Sequence, residues 1–272
     1  MQETRSYLPN SDRLGILIAS VLLTFAITRI VQTPSLTLSL ELTGFYFAYP
    51  ITLSTAMSIL AAALAFTGMD SLTRSHPSLG KKTNIEHLLL PTLTTLILGG
   101  PLSLLPNGLI WWAGFVFGAF VLVNVYLAEY ITIDPSAPTY AFARAGLTAL
   151  AYALFLIMVM ALKFSGARMF VLVPILFLAA GLISLRILHL DGTDRWDFPW
   201  AIGIGIICAQ IGAGLHYWHL TPVQFSLAIT GPLYALTMLS ASITTENVPL
   251  RRAMVGPLIV LGASWISAIF FK

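Results

Sequence analysis

The sequence predicts an all-α integral membrane protein. The expected architecture is a polytopic bundle of nine transmembrane helices, with a cytoplasmic N-terminus and an external C-terminus. Three observations predict it. Of the 272 residues, 57 % are hydrophobic and only 9 % are charged, against roughly 25 % charged in an ordinary soluble domain. The mean hydropathy is +0.87. The apolar residues also collect into nine long runs separated by short polar stretches. A soluble fold of this length must cover its surface with polar groups, which this chain lacks. Disorder is excluded too, because it requires low hydrophobicity.

A spanning helix needs about 20 mostly apolar residues. The first run, 14–32, follows Arg13 and ends on Thr28-Arg29-Ile30. It lacks a small-x-small cleavage site and reads as an uncleaved first span. The second run covers 43–68 and gives way to the longest polar stretch, 69–87, with Asp70, Arg74, Lys81, Lys82 and Glu86. The third, 88–105, is punctuated by Pro91, Gly99, Gly100, Pro101 and Pro106. A re-entrant hairpin here, leaving eight spans, is therefore the alternative. The remaining runs are 108–128, 140–162, 169–189, 199–217, 222–242 and 253–271. They lack polar alternation and are too long for barrel strands, so helices are the reading for all. No soluble domain is evident, and residues 1–272 read as a single transmembrane helical domain.

Orientation follows from the basic residues, which concentrate on the cytoplasmic side of membrane proteins. With nine spans and the N-terminus inside, Arg5, Arg13, Arg74, Lys81, Lys82, Arg144, Arg186, Arg195, Arg251 and Arg252 are cytoplasmic. Arg29, Lys163, Arg168 and Lys272 are external, a division of ten against four. A re-entrant third segment would make it eight against six. Trp111, Trp112, Trp196, Trp200 and Trp218 fall near run ends, where indole prefers the headgroup zone. Arg29, Arg144 and Arg186 also lie near run ends, where they can snorkel. The expected location is the plasma membrane.

Two runs carry small residues four apart, on one helix face: Ala141, Ala145, Ala149 and Ala153 in the fifth, and Ala201, Gly205, Ala209 and Ala213 in the seventh. Such faces let a neighbouring backbone approach closely, which makes both helices candidates for the bundle centre. Pro232, in the middle of the eighth run, removes a backbone donor and predicts a kink. The single cysteine, Cys208, excludes an intramolecular disulfide and reads as a small buried hydrophobe.

Chemistry-bearing residues are few. The 11 acidic residues all fall in loops or at run edges. Ion-coupled transporters keep an ionisable group within the membrane, so a carboxylate-driven pump is disfavoured and a facilitator is not. The candidates for a substrate or polar pathway are Asn124, Gln210, Arg144 and His216. Asn124 and Gln210 also suit hydrogen bonds between helices. His216 and His219, three apart, have metal-ligand spacing, but no paired histidine is evident in another run. Gly-x-Ser-x-Gly, His-Glu-x-x-His, phosphate-loop and rhomboid-type serine motifs are absent.

The acids cluster once, in His189-Leu190-Asp191-Gly192-Thr193-Asp194-Arg195-Trp196-Asp197. Asp191, Asp194 and Asp197 at a spacing of three could chelate Mg2+, a hard cation that takes oxygen ligands and phosphate partners. The competing reading is a solvated turn built on Asp-Gly. The loop and the number of spans resemble the UbiA-type intramembrane prenyltransferases. Those enzymes have nine helices, a cytoplasmic N-terminus and an Asp-rich motif between helices six and seven. The resemblance implies a Mg2+-dependent transferase acting on a lipid or prenyl diphosphate. The sequence departs from the family at its other acidic motif, Asn-Asp-x-x-Asp. In that place stands Met69-Asp70-Ser71-Leu72-Thr73-Arg74, with one aspartate.

The expectation that follows is a non-enzymatic membrane component: a facilitator, a lipid-binding protein or a subunit of a membrane complex. Its partners are membrane lipids and, if it is a subunit, other membrane proteins, with no nucleic acid. No cofactor is expected, and Mg2+ enters only under the transferase alternative.

Overall fold

The computed structural model describes residues 9–31, 36–42, 45–79, 84–190, 196–245 and 250–270. Among them are nine helices long and apolar enough to cross a membrane. The chain divides into two compact units, Met1–Ala143 and Arg144–Lys272.

The first unit opens with α1, Ser11–Ile30. Asn10 caps it, its side chain accepting from the backbone N–H groups of Asp12 at 2.9 Å and Arg13 at 3.4 Å. These groups have no partner within the helix, and the cap satisfies them. At the other end, the Arg29 guanidinium lies 5.5 Å from the Trp111 ring centroid, a cation–π contact at a span end.

A β-hairpin follows, β1 at Leu36–Leu42 and β2 at Phe45–Ile51, antiparallel, with Leu42 paired to Phe45 and Leu36 to Ile51. The nine long apolar helices among the described residues are as the sequence predicts, and the hairpin is an addition to them. It also corrects the second run, whose helix α2 spans Leu53–Arg74 rather than starting at 43. Residues 45–51 are apolar enough to pass for a span, but Phe45, Tyr46, Phe47 and Tyr49 favour strand. Thr52 then caps α2, accepting from the Thr55 N–H at 3.3 Å.

α3 runs unbroken over Ile85–Leu104 with Pro91 and Pro101 inside it. A re-entrant hairpin requires a reversal of the chain in this segment, and there is none. The Thr92, Thr94 and Thr95 hydroxyls donate to carbonyls one turn back, at 2.7, 2.7 and 2.9 Å. Such bonds let apolar helices accommodate proline. α4, Leu109–Ile131, packs on α3, and Thr95 shares a 3.2 Å hydrogen bond with the Tyr126 hydroxyl. Its opposite face leaves Leu109, Trp112, Val116, Phe117 and Phe120 exposed, an apolar surface suited to lipid.

α5, Tyr140–Phe164, carries the chain into the second unit. There follow α6 at Met169–Leu190, α7 at Phe198–His216, α8 at Pro222–Thr245, the short α9 at Leu250–Ala253, and α10 at Val255–Phe270. Gly166, at φ +67°, makes the turn between α5 and α6, a conformation that favours glycine.

The two small-residue faces divide. On α7, Ala201, Gly205 and Ala209 are buried. A Cβ at Gly205 would stand 2.8 Å from the Phe177 carbonyl oxygen of α6. On α5, Ala141, Ala145, Ala149 and Ala153 are all exposed, against the expectation of a central face. The buried face of α5 carries Leu147, Leu154, Phe155 and Val159 instead. Lipid tails are as apolar as leucine, so side-chain packing decides which face of a span turns in, and here the larger side chains supply it. Tyr152 of α5 and Thr237 of α8 share a hydrogen bond. Gly231, beside Pro232, leaves its space to Ser264 of α10. Arg186, expected to snorkel, is 1 % exposed within α6.

Candidate functional site

Among the described residues of the first unit, a polar assembly forms where α2 ends, α3 begins and α4 ends. Each helix terminates in polar residues, and packing of the apolar stretches brings those ends together. Asp70 accepts from Arg74 at 2.8 Å, one turn on. It also accepts from the Asn84 amide at 2.7 Å, and the second proton of that amide goes to the Thr73 hydroxyl at 2.8 Å. Asn84 and Thr73 are both buried, so this bridge ties the start of α3 to the last turn of α2.

His87, in the first turn of α3, has a carboxylate at each ring nitrogen. Nδ1 lies 3.1 Å from Glu129 Oε2, and Nε2 lies 3.7 Å from Glu86 Oε1. Glu129 is fully buried in the last turns of α4. The pair spans 42 residues of sequence and joins α3 to α4.

His76 is the third member, 5 % exposed in the α2–α3 connection. Its Nδ1 accepts from the Ser78 N–H at 3.1 Å. The proton of the neutral ring is therefore on Nε2, which is buried and has no hydrogen-bond partner among the described residues. Tyr130 meets the ring edge to face at 4.6 Å. Asp134 stands nearby and accepts from the Ser78 hydroxyl at 3.0 Å, and from Ser136 at 2.9 Å through its N–H and 2.7 Å through its hydroxyl.

Burial pushes the His76 pKa below its ordinary value; His87 adds to the shift and Asp134 opposes it. The folded state thus holds the imidazole neutral at a pH where the unfolded chain protonates it. Stability from His76 is present above about pH 6.5 and is lost as the pH falls through the lower folded value. We expect the melting temperature to drop as the pH falls below about 6.5, and His76→Phe to flatten that drop. Thermal scans of both proteins across this range check it, and equal slopes would contradict it.

The residues singled out from sequence lie elsewhere. Asn124 is exposed on α4, and its amide donates to the Phe120 carbonyl of its own helix at 2.7 Å. Gln210 is exposed on α7, and Arg144 is half-buried early in α5. His216, half-buried, closes α7; its ring lies edge-on to Tyr217 and its carbonyl accepts from Lys163 Nζ at 2.8 Å. His219 is exposed. Asp191 and Asp194 lie outside the described residues, and Asp197 stands at the N-cap of α7. Among the described residues, no group of three or more His, Cys, Asp or Glu side chains is placed to hold a metal.

His87 and Glu129 were not legible as a pair. Glu86-His87 lies just before the third run and Glu129 just after the fourth, and only antiparallel packing of those helices makes them neighbours.

No curated protein and no solved structure matches the chain. One family model does, described as a protein of unknown function, DUF5656, and it covers residues 33–271. The match takes in the hairpin and every helix after it, and the chain belongs to the DUF5656 family.

Proposed function

We propose that the protein is a non-enzymatic, multi-pass component of the plasma membrane, with its N-terminus inside and its C-terminus outside. The observation that carries this reading is the His87–Glu129 pair. It spends two of the chain's few ionisable groups on joining helix ends. Buried polar groups used this way fix which helices are neighbours and in what register. A subunit or lipid-binding protein needs such a fixed frame and an apolar exterior, which α4 provides with Trp112, Val116, Phe117 and Phe120.

The helix ends that meet support the alternation of the spans. His87 near the start of α3 meets Glu129 near the end of α4, as in two successive spans running opposite ways. Lys163 at the end of α5 meets His216 at the end of α7, two ends that the charge count places outside.

The rival reading is a metal-dependent transferase acting on a lipid or prenyl diphosphate, resting on Asp191, Asp194 and Asp197. Magnesium separates the two. Three carboxylates forming a site repel one another, and a cation bound only to the folded state raises its stability by mass action. We expect no magnesium-dependent rise in melting temperature. The variant with all three aspartates changed to asparagine should stay within about 0.5 kcal/mol of the parent. A magnesium-dependent rise lost in that variant would establish the transferase reading instead.

A further inference from the structure

The first unit carries a groove of about 290 Å³ between α1 and α2, lined by Arg13, Leu17, Ser20, Leu64, Gly68 and Ser71 among others. Leu17 packs into the space left by Gly68, where a Cβ would collide with it. The absence of a side chain at residue 68 thus lets the floor of the groove form. Both helices are long and apolar enough to cross a membrane, so the groove opens on what surrounds the helices. Its chemistry is graded along its length. Leu17 and Leu64 make an apolar wall, while Arg13 and Ser71 stand toward the N-terminal end of α1 and the C-terminal end of α2.

The Arg13 guanidinium is exposed, and no carboxylate among the described residues pairs with it. Among the described residues, Arg74 at the end of α2 is already engaged by Asp70 at 2.8 Å. A cation that no described carboxylate engages, at the head of an apolar groove and the end of a membrane span, is complementary to an amphiphile with a negative headgroup. We propose that this groove binds an anionic phospholipid. Its phosphate sits at Arg13 and Ser71, with the guanidinium as a bidentate donor, and one acyl chain lies along Leu17 and Leu64. A zwitterionic lipid offers the same chain, but its own cation offsets the charge that Arg13 attracts.

Native mass spectrometry of the full chain in neutral detergent tests this, with titration by phosphatidylglycerol, by phosphatidylcholine and by inorganic phosphate. We expect the parent to prefer phosphatidylglycerol. Arg13→Gln should weaken that lipid about fivefold, as for one cation near an anionic surface, and phosphatidylcholine less. Ser20→Phe, which fills the groove, should weaken both lipids. Arg251→Gln, an exposed cation in the second unit, should change neither. Equal affinity of the parent for the two lipids would overturn the proposal. So would equal losses in Arg13→Gln and Arg251→Gln, which would mark unspecific attraction. Displacement of phosphatidylglycerol by inorganic phosphate would also overturn it, by assigning Arg13 to a free anion.

Discussion

Changing His87 to leucine should destabilise the protein by about 1–3 kcal/mol, the cost of leaving a buried polar group without one of its partners. The leucine fills most of the imidazole's volume, so little of the loss comes from a cavity. It comes from Glu129, which is wholly buried at the end of α4 and loses the nitrogen 3.1 Å away. The double variant His87→Leu, Glu129→Leu should recover most of the loss, because well-packed apolar residues often replace a buried pair at little cost. Thermal or denaturant unfolding in detergent reads both effects. A double variant as unstable as the sum of the two single ones would show that the residues act independently.

Gly205→Leu should cost about 1–3 kcal/mol through overpacking. The position has no room even for a methyl group, since a Cβ would stand 2.8 Å from the Phe177 carbonyl oxygen and 3.1 Å from Phe177 Cδ2. A backbone oxygen cannot rotate away as a side chain can, so α6 and α7 must separate. Ile206→Leu, on the exposed side of the same helix, should stay within about 0.5 kcal/mol of the parent. Unfolding curves of the three proteins decide it, and a Gly205→Leu curve that overlays the parent's would contradict the close contact.

The long helices were legible because each is a run whose apolar content alone fixes its type. Ile85–Leu104 and Met169–Leu190 fall within a few residues of the runs at 88–105 and 169–189. The hairpin was not legible, because Phe45–Ile51 is as apolar as a helix start. Only its aromatic content and the Thr52 cap distinguish it. The alanine stripes show a limit of another kind. Ala141 and Ala201 belong to similar patterns, yet one is exposed and the other buried. A small residue permits a close approach without driving it. On α7 a glycine lies against Phe177, whereas on α5 the larger Leu147 and Phe155 took the inward face. The polar assembly was the least legible. Its members were visible singly, as Asp70, Glu86, Glu129 and Asp134 at run edges. Their pairing depends on which helix ends meet, which local sequence does not state.

The central claim is that nine helices alternate across the membrane, with the α2–α3 connection inside. Single cysteines placed in a Cys208→Ala background test it most directly. Ser78 and His219 are both exposed, in the α2–α3 and α7–α8 connections. A membrane-impermeant maleimide should label Ser78→Cys only from the cytoplasmic side and His219→Cys only from outside. Labelling of both positions from the same side would contradict the account.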